Sequence, residues 1–191
     1  DAYNVAIGSS AGAAVTTGVQ NTLIGGLAGD AITSGHSSTA LGYAALSTED
    51  TSSHNTAIGY AAMASGQNAA KNVAVGNNTL TSMQPASNTD TYNVAVGYNA
   101  GLSVTTGTAN TIVGGLAGDA LTTGVHNVAI GYAALTNEDA HGRNVAVGFE
   151  SLNQQNAGAD AYNTAIGYQA GKAVTTGANN TLIGAQTGDS L

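Results

Sequence analysis

Two pairs of adjacent acids, Glu49-Asp50 and Glu138-Asp139, have the residue types that break glycosidic bonds or hold calcium. A glycosidase needs two carboxylates facing across its substrate, roughly 5 to 10 Å apart. Here the acids of each pair are sequence neighbours, and the pairs sit in equivalent, duplicated segments. No facing geometry is expected from that pattern. Calcium needs about six to eight oxygens. Asp30, Asp119 and Asp189, each after a glycine, are spread along the chain and add one acid apiece. A polar corner where the chain turns is the expected role of these acids.

His36 and His54 fall on successive repeat units, as do His126 and His141. Imidazoles on neighbouring units can share a divalent metal, but exposed turn histidines are the simpler expectation. The segments Val15-Thr16-Thr17-Gly18, Val104-Thr105-Thr106-Gly107 and Val174-Thr175-Thr176-Gly177 hint at a threonine array for binding ice. Such an array needs threonine in nearly every unit, and Asp50, Gln67 and Asp139 interrupt it. Ser-His-Asp spacing, phosphate loops and metal-ligand motifs are all missing. The chain is therefore expected to be no enzyme, with no catalytic residue, no cofactor and no metal.

What positions these residues is one five-residue phrase, as in Asn163-Thr164-Ala165-Ile166-Gly167, written eleven times. The copies begin at Asn4, Asn21, Ser38, Asn55, Asn72, Asn93, Asn110, Asn127, Asn144, Asn163 and Asn180. Starts lie 17 residues apart, except for one step of 21 after Asn72 and one of 19 after Asn144. The only proline, Pro85, falls in the longer step, as suits a loop. Larger blocks beginning near Ala2, Thr91 and Ala161 repeat as well, which points to duplication of groups of units.

Composition agrees with a repetitive fold. Charged residues are 7% of the 191, against roughly 25% in ordinary globular chains. Charge-driven disorder is excluded on that ground. The net charge of -8 reflects only three Lys and Arg residues, which argues against nucleic acid and anionic membranes as partners. Cysteine is absent, and no apolar run approaches the roughly 18 residues of a membrane span. Residues 1–191 read as a single repetitive domain, and because the chain starts and stops inside the pattern, as a fragment of a longer fibrous protein.

A unit this short cannot bury its own apolar face, whereas stacked units can. The second to fourth positions read as a short strand, stopped by the invariant fifth-position glycine. The expected fold is an all-β parallel β-solenoid, or β-roll, of about eleven 17-residue turns. The first-position ladder, Asn4, Asn21, Asn55, Asn72, Asn93, Asn110, Asn127, Asn144, Asn163 and Asn180, is expected to satisfy backbone groups at a turn.

Volumes trade between positions. The sixth position is aromatic at Tyr43, Tyr60, Tyr98, Tyr132, Phe149 and Tyr168, always with alanine at the third. Large third residues (Leu23, Ile112, Leu182) go with Gly26, Gly115 and Ala185, so the two positions are expected to share one space. Likewise a ninth-position glycine goes with an apolar twelfth residue, and Leu46, Met63, Leu135 and Leu152 go with Glu49, Gly66, Glu138 and Gln155. Leu80 with Met83 departs from that rule.

Third and fourth positions are apolar in every unit, and in a strand they face opposite sides. One row must then be covered by something outside the coil. The third row, Ala6, Leu23, Ala57, Ala95, Ile112, Ala129, Ala165 and Leu182, is expected to be the chain–chain interface, most simply of a homotrimer. The tyrosines Tyr43, Tyr60, Tyr98, Tyr132 and Tyr168 are the candidates for glycan contact, with a packing role as their simpler one.

The phrase Asn4-Val5-Ala6-Ile7-Gly8, repeated at Asn127-Val128-Ala129-Ile130-Gly131, resembles the head repeats of trimeric autotransporter adhesins. The longer unit Asn163-Thr164-Ala165-Ile166-Gly167-Tyr168-Gln169-Ala170-Gly171 is similar to repeats in bacteriophage tail fibres. The resemblance implies a left-handed, trimeric β-roll outside the cell, on a virion fibre or a bacterial surface. It implies a structural and adhesive rod giving multivalent attachment to a host-surface glycan or protein receptor. The alternative expectation is a subunit of an extracellular self-assembling filament.

Overall fold

The computed structural model describes residues 2–188; Asp189 and Leu191 of the repeat pattern lie outside them. Each phrase forms a three-residue strand. In chain order the strands are β1 (Val5–Ile7), β2 (Thr22–Ile24), β3 (Thr39–Leu41), β4 (Thr56–Ile58), β5 (Ala69–Ala70), β6 (Val73–Val75), β7 (Thr89–Asp90), β8 (Val94–Val96), β9 (Thr111–Val113), β10 (Val128–Ile130), β11 (Val145–Val147), β12 (Thr164–Ile166) and β13 (Thr181–Ile183). Eleven of them stack as one parallel sheet in chain order, and β5 pairs with β7 beside it. Register is strict, position on position: Val5 opposite Thr22, Ala6 opposite Leu23, Ile7 opposite Ile24. The chain is thus a parallel β-solenoid whose coils are the sequence repeats.

The fifth-position glycine has two reasons to be glycine. Its φ lies between +124° and +141° in every coil, a region closed to other residues. A Cβ on Gly131 would also lie 2.3 Å from the carbonyl oxygen of Gly148 on the next coil. The coils touch backbone to backbone at this corner.

The asparagine ladder runs inside the coil. Each Oδ1 accepts the backbone N–H of the first residue of the next coil, as from Asn21 to Asn4 at 2.8 Å and from Asn127 to Asn110 at 2.9 Å. Each Nδ2 donates across its own coil to the carbonyl fourteen residues on, as from Asn21 to Gly35 and from Asn110 to Gly124. One side chain therefore ties two coils together and closes its own. At the two stretched coils the carbonyl moves away. Asn72 turns to the Ala70 carbonyl instead, and the buried Nδ2 of Asn144 has no partner.

The core takes the third, ninth and twelfth positions. Leu23, Ile112, Ala129 and Ala165 are fully buried, and so are Ile32, Leu121, Leu46, Met63, Leu135 and Leu152. The ninth–twelfth trade fills this core: a Cβ on Gly29 would meet both Ile32 and Leu23 at 2.8 Å. Leu80 and Met83 are buried together in the coil with four extra residues, whose connecting segment carries β7. A ninth-position leucine pays with a left-handed backbone, φ +53° at Leu46 and +54° at Leu135.

Two expectations are corrected here. Third-position residues Leu23, Ala57, Ala95, Ile112, Ala129, Ala165 and Leu182 lie inside the coil and cannot face another chain. Ala6 belongs to the same row and is exposed only because its coil is the first described. A coil of seventeen residues has a narrow interior, which suits the alanine that most coils carry there. The sixth-position rings do not share that space either. The strand ends at the glycine corner, and the ring after it points to solvent, half-exposed at Tyr43, Tyr60, Tyr98, Tyr132 and Tyr168.

Candidate functional site

With the third row inside, the second and fourth rows form the outer face of the long sheet. Every side chain on it is Val, Thr, Ile or Leu from β1 to β13. Ile7, Leu41, Val73, Val94, Ile130, Ile166 and Ile183 are exposed there. Strand parity alone requires that the row opposite a buried third position point outward. The face carries no charge along its length.

An aromatic row runs beside this face. Tyr43 stacks on Tyr60 with ring centroids 5.7 Å apart. Phe149 lies between Tyr132 and Tyr168, at 5.6 and 5.3 Å. Strict coil register brings these rings together. Gly26 and Gly115 cap the two stacks, since a Cβ on either would touch the ring of Tyr43 or Tyr132. Tyr98 stands apart, between Asn77 and Gly115. Aromatic faces within a stack are covered by neighbouring rings, so a sugar would meet the phenol edges and the outer ring faces.

All three basic residues are paired with acids. Lys71 bonds Asp90 at 2.7 Å and lies over the Tyr92 ring. Arg143 pairs with Asp160 and lies over Tyr162, and Lys172 pairs with Glu150. The first two clamps repeat one design: a cation just before an Asn reaches up to the Asp-x-Tyr-Asn of a stretched coil. The Lys71 ammonium holds the Asp90 carboxyl below the usual carboxylate range. Lys172, with help from Gln169, does the same for Glu150.

The threonine row acts as a tie between coils. Thr16, Thr105 and Thr122 donate their hydroxyls to the carbonyls of Thr33, Thr122 and Asp139. Asp50 replaces threonine and takes the hydroxyl of Thr33 on its carboxylate. The rings of His36 and His54 meet edge to face, 5.0 Å apart.

The acid pairs divide in a way that the sequence reading missed. Asp50 and Asp139 are exposed, but Glu49 and Glu138 are fully buried. They occupy the twelfth position, a core slot in other coils. Burial pushes both carboxyls above their usual pKa, against the pull of N–H groups from Ser52 and His141. Asp119, partly buried after its glycine, is also raised by burial. The signal was present in the ninth–twelfth trade, where a glutamate stands in for an aliphatic side chain. Gln155 fills the same slot without charge, bonded to the Thr175 carbonyl and to Asn163.

Among the described residues there is no pocket, and no helix is long and apolar enough to cross a membrane. Comparison with protein-family models, with characterised proteins and with solved structures finds no match.

Proposed function

We propose that the chain is a structural and adhesive rod, of the kind found in phage tail fibres and bacterial surface adhesins. It would act outside the cell as a left-handed homotrimer that attaches multivalently to a host-surface glycan or protein. The observation that supports this reading is the uncovered apolar outer face of the long sheet. Eleven strands span ten rises of ~4.8 Å, or about 48 Å, and three residues of strand give about 10 Å of width. That is the size of the largest apolar patch on a typical monomer, roughly 300–600 Å² and often functional, and the aromatic row adds to it.

A second and third copy of the chain are the occupants that fit best. The face has no charged residue to recognise a charged partner, and it repeats at one coil spacing throughout. An identical chain repeats at the same spacing, so each row can pack in register along the whole length. The tyrosine stacks at the margin would remain available as glycan contacts, and three weak sites acting together would raise avidity.

Light scattering on the purified chain at micromolar concentration tests the assembly. Three times the 18.6 kDa chain mass is expected. Ile130→Lys with Ile166→Lys should give a folded monomer, with the same circular dichroism and weaker binding on a glycan array. A monomeric wild type at micromolar concentration would sink the trimer. Open-ended fibres in electron micrographs would favour the self-assembling filament instead.

A further inference from the structure

We propose that Glu138, Asp139 and His141 form a binding site for a single divalent transition-metal ion of the zinc type. A carboxylate oxygen of each acid and a ring nitrogen of the histidine lie within 4.8 Å of one another. Glu138 is fully buried, and its Oε2 has no hydrogen-bond partner. The Nδ1 of His141 is likewise buried and unpartnered. A buried carboxylate oxygen and a buried imidazole nitrogen left without hydrogen-bond partners are each costly unless something binds them.

The spacing suits a bridging ion. His141 Nδ1 stands 3.5 Å from Glu138 Oε1, longer than a good hydrogen bond. Donors bound at ~2.0–2.1 Å around tetrahedral zinc lie about 3.4 Å apart. The main chain already holds the ligands in place. The His141 N–H donates to Glu138 Oε1 at 3.1 Å, and the Thr122 hydroxyl donates to the Asp139 carbonyl at 2.7 Å. The exposed Asp139 carboxylate receives no hydrogen bond from any described residue. Water can complete the coordination on that open side.

One nitrogen and two carboxylates match zinc or a similar first-row ion better than calcium, whose ligands are oxygens. The bound ion would lock the corner of its coil. The His141 carbonyl accepts from Asn127, so the site is one hydrogen bond away from the asparagine ladder. The equivalent turn supplies a control within the same molecule. Glu49 is buried with an unpartnered Oε2 as well, but Ser52 stands where the second turn has His141.

The test is calorimetric titration of the chelator-treated full chain with zinc chloride, alongside thermal unfolding with zinc and with chelator. One saturable site per chain is expected, with a higher unfolding temperature when zinc is present. His141→Ser, which copies the first turn, and Glu138→Gln should each weaken binding at least about tenfold. In chelator, His141→Ser should unfold near the wild-type temperature and Glu138→Gln no lower than it. His36→Asn with His54→Asn should leave the titration unchanged. The proposal is overturned if the wild type binds no zinc, if His141→Ser binds as well as wild type, or if the His36/His54 variant loses the site.

Discussion

The turn around Glu49 and the turn around Glu138 occupy the same place in two copies of a duplicated block, and they solve one problem differently. Each follows a buried leucine in a left-handed conformation, Leu46 or Leu135, and each puts a glutamate where most other coils place an apolar group and one places Gln155. In the first turn, Glu49 Oε1 accepts two N–H groups, from Asp50 and Ser52. Its neighbour Asp50 is taken by the Thr33 hydroxyl. The carboxylate there acts as a cap for its own turn. In the second, Glu138 accepts one N–H, and the Asp139 carboxylate is left open. Sequence differences that include Ala140 for Thr51, His141 for Ser52 and Gly142 for Ser53 turn a closed corner into a cluster of donors. A solenoid slot thus fixes where a side chain goes, while its nearest neighbours decide what it can do.

The strongest way to break the equivalence is to remove the corner that sets both turns. Gly42→Ala, at the start of the first, and Gly131→Ala, at the start of the second, each place a Cβ 2.3 Å from a carbonyl of the next coil. Each should cost about 3 kcal/mol or more in denaturant unfolding. A cost below 1 kcal/mol would mean that the coils can separate at this corner.

Leu46→Ala and Leu135→Ala come next. Each should lose about 3 kcal/mol through the cavity left behind, and the two losses should agree. A clear inequality would show that the turns are not packed alike.

Glu49→Gln sharpens the comparison in the opposite direction. Folded Glu49 holds its proton more tightly than the unfolded chain does, because burial raises its pKa above the ordinary 4.5. Its contribution is fully present below that value and is lost as the pH rises through the raised pKa. The amide should therefore flatten the fall in stability above pH 4.5 and be more stable than wild type at pH 7. A variant less stable than wild type at pH 7, by denaturant titration from pH 4 to 8, would refute this.

The smallest effect is expected from Lys71→Met. Its pair with Asp90 is exposed, so water and salt screen it. The unfolding temperature should barely move, and the difference should vanish in high salt. A large, salt-insensitive loss would instead make the stretched-coil clamp a structural tie.

Much of the fold was legible in the chain because the repeats align themselves. The three-residue strand, the glycine corner and the asparagine ladder follow from residue types at fixed spacing. The ninth–twelfth trade was also readable, and it marked the slot that buries Glu49 and Glu138. Two things were misread for one reason. Strand parity says that Ala165 and Ile166 face opposite sides, but parity has no inside. The inside is set by backbone turns with positive φ at residues such as Leu46, His54, Ala61 and Glu150, and no local propensity announces them there. Without that curvature, alanine looks as fit for an interface as for a core, and Tyr168 looks as fit for packing as for display.

Repetition in the sequence, then, determined the coil length, the register and the residues that bond coil to coil, because each is a local rule applied eleven times. Only the tertiary structure decided which apolar row is buried and which is left to solvent. It alone brought Asp139 and His141 up to a buried Glu138, because side-chain direction depends on how the whole coil closes.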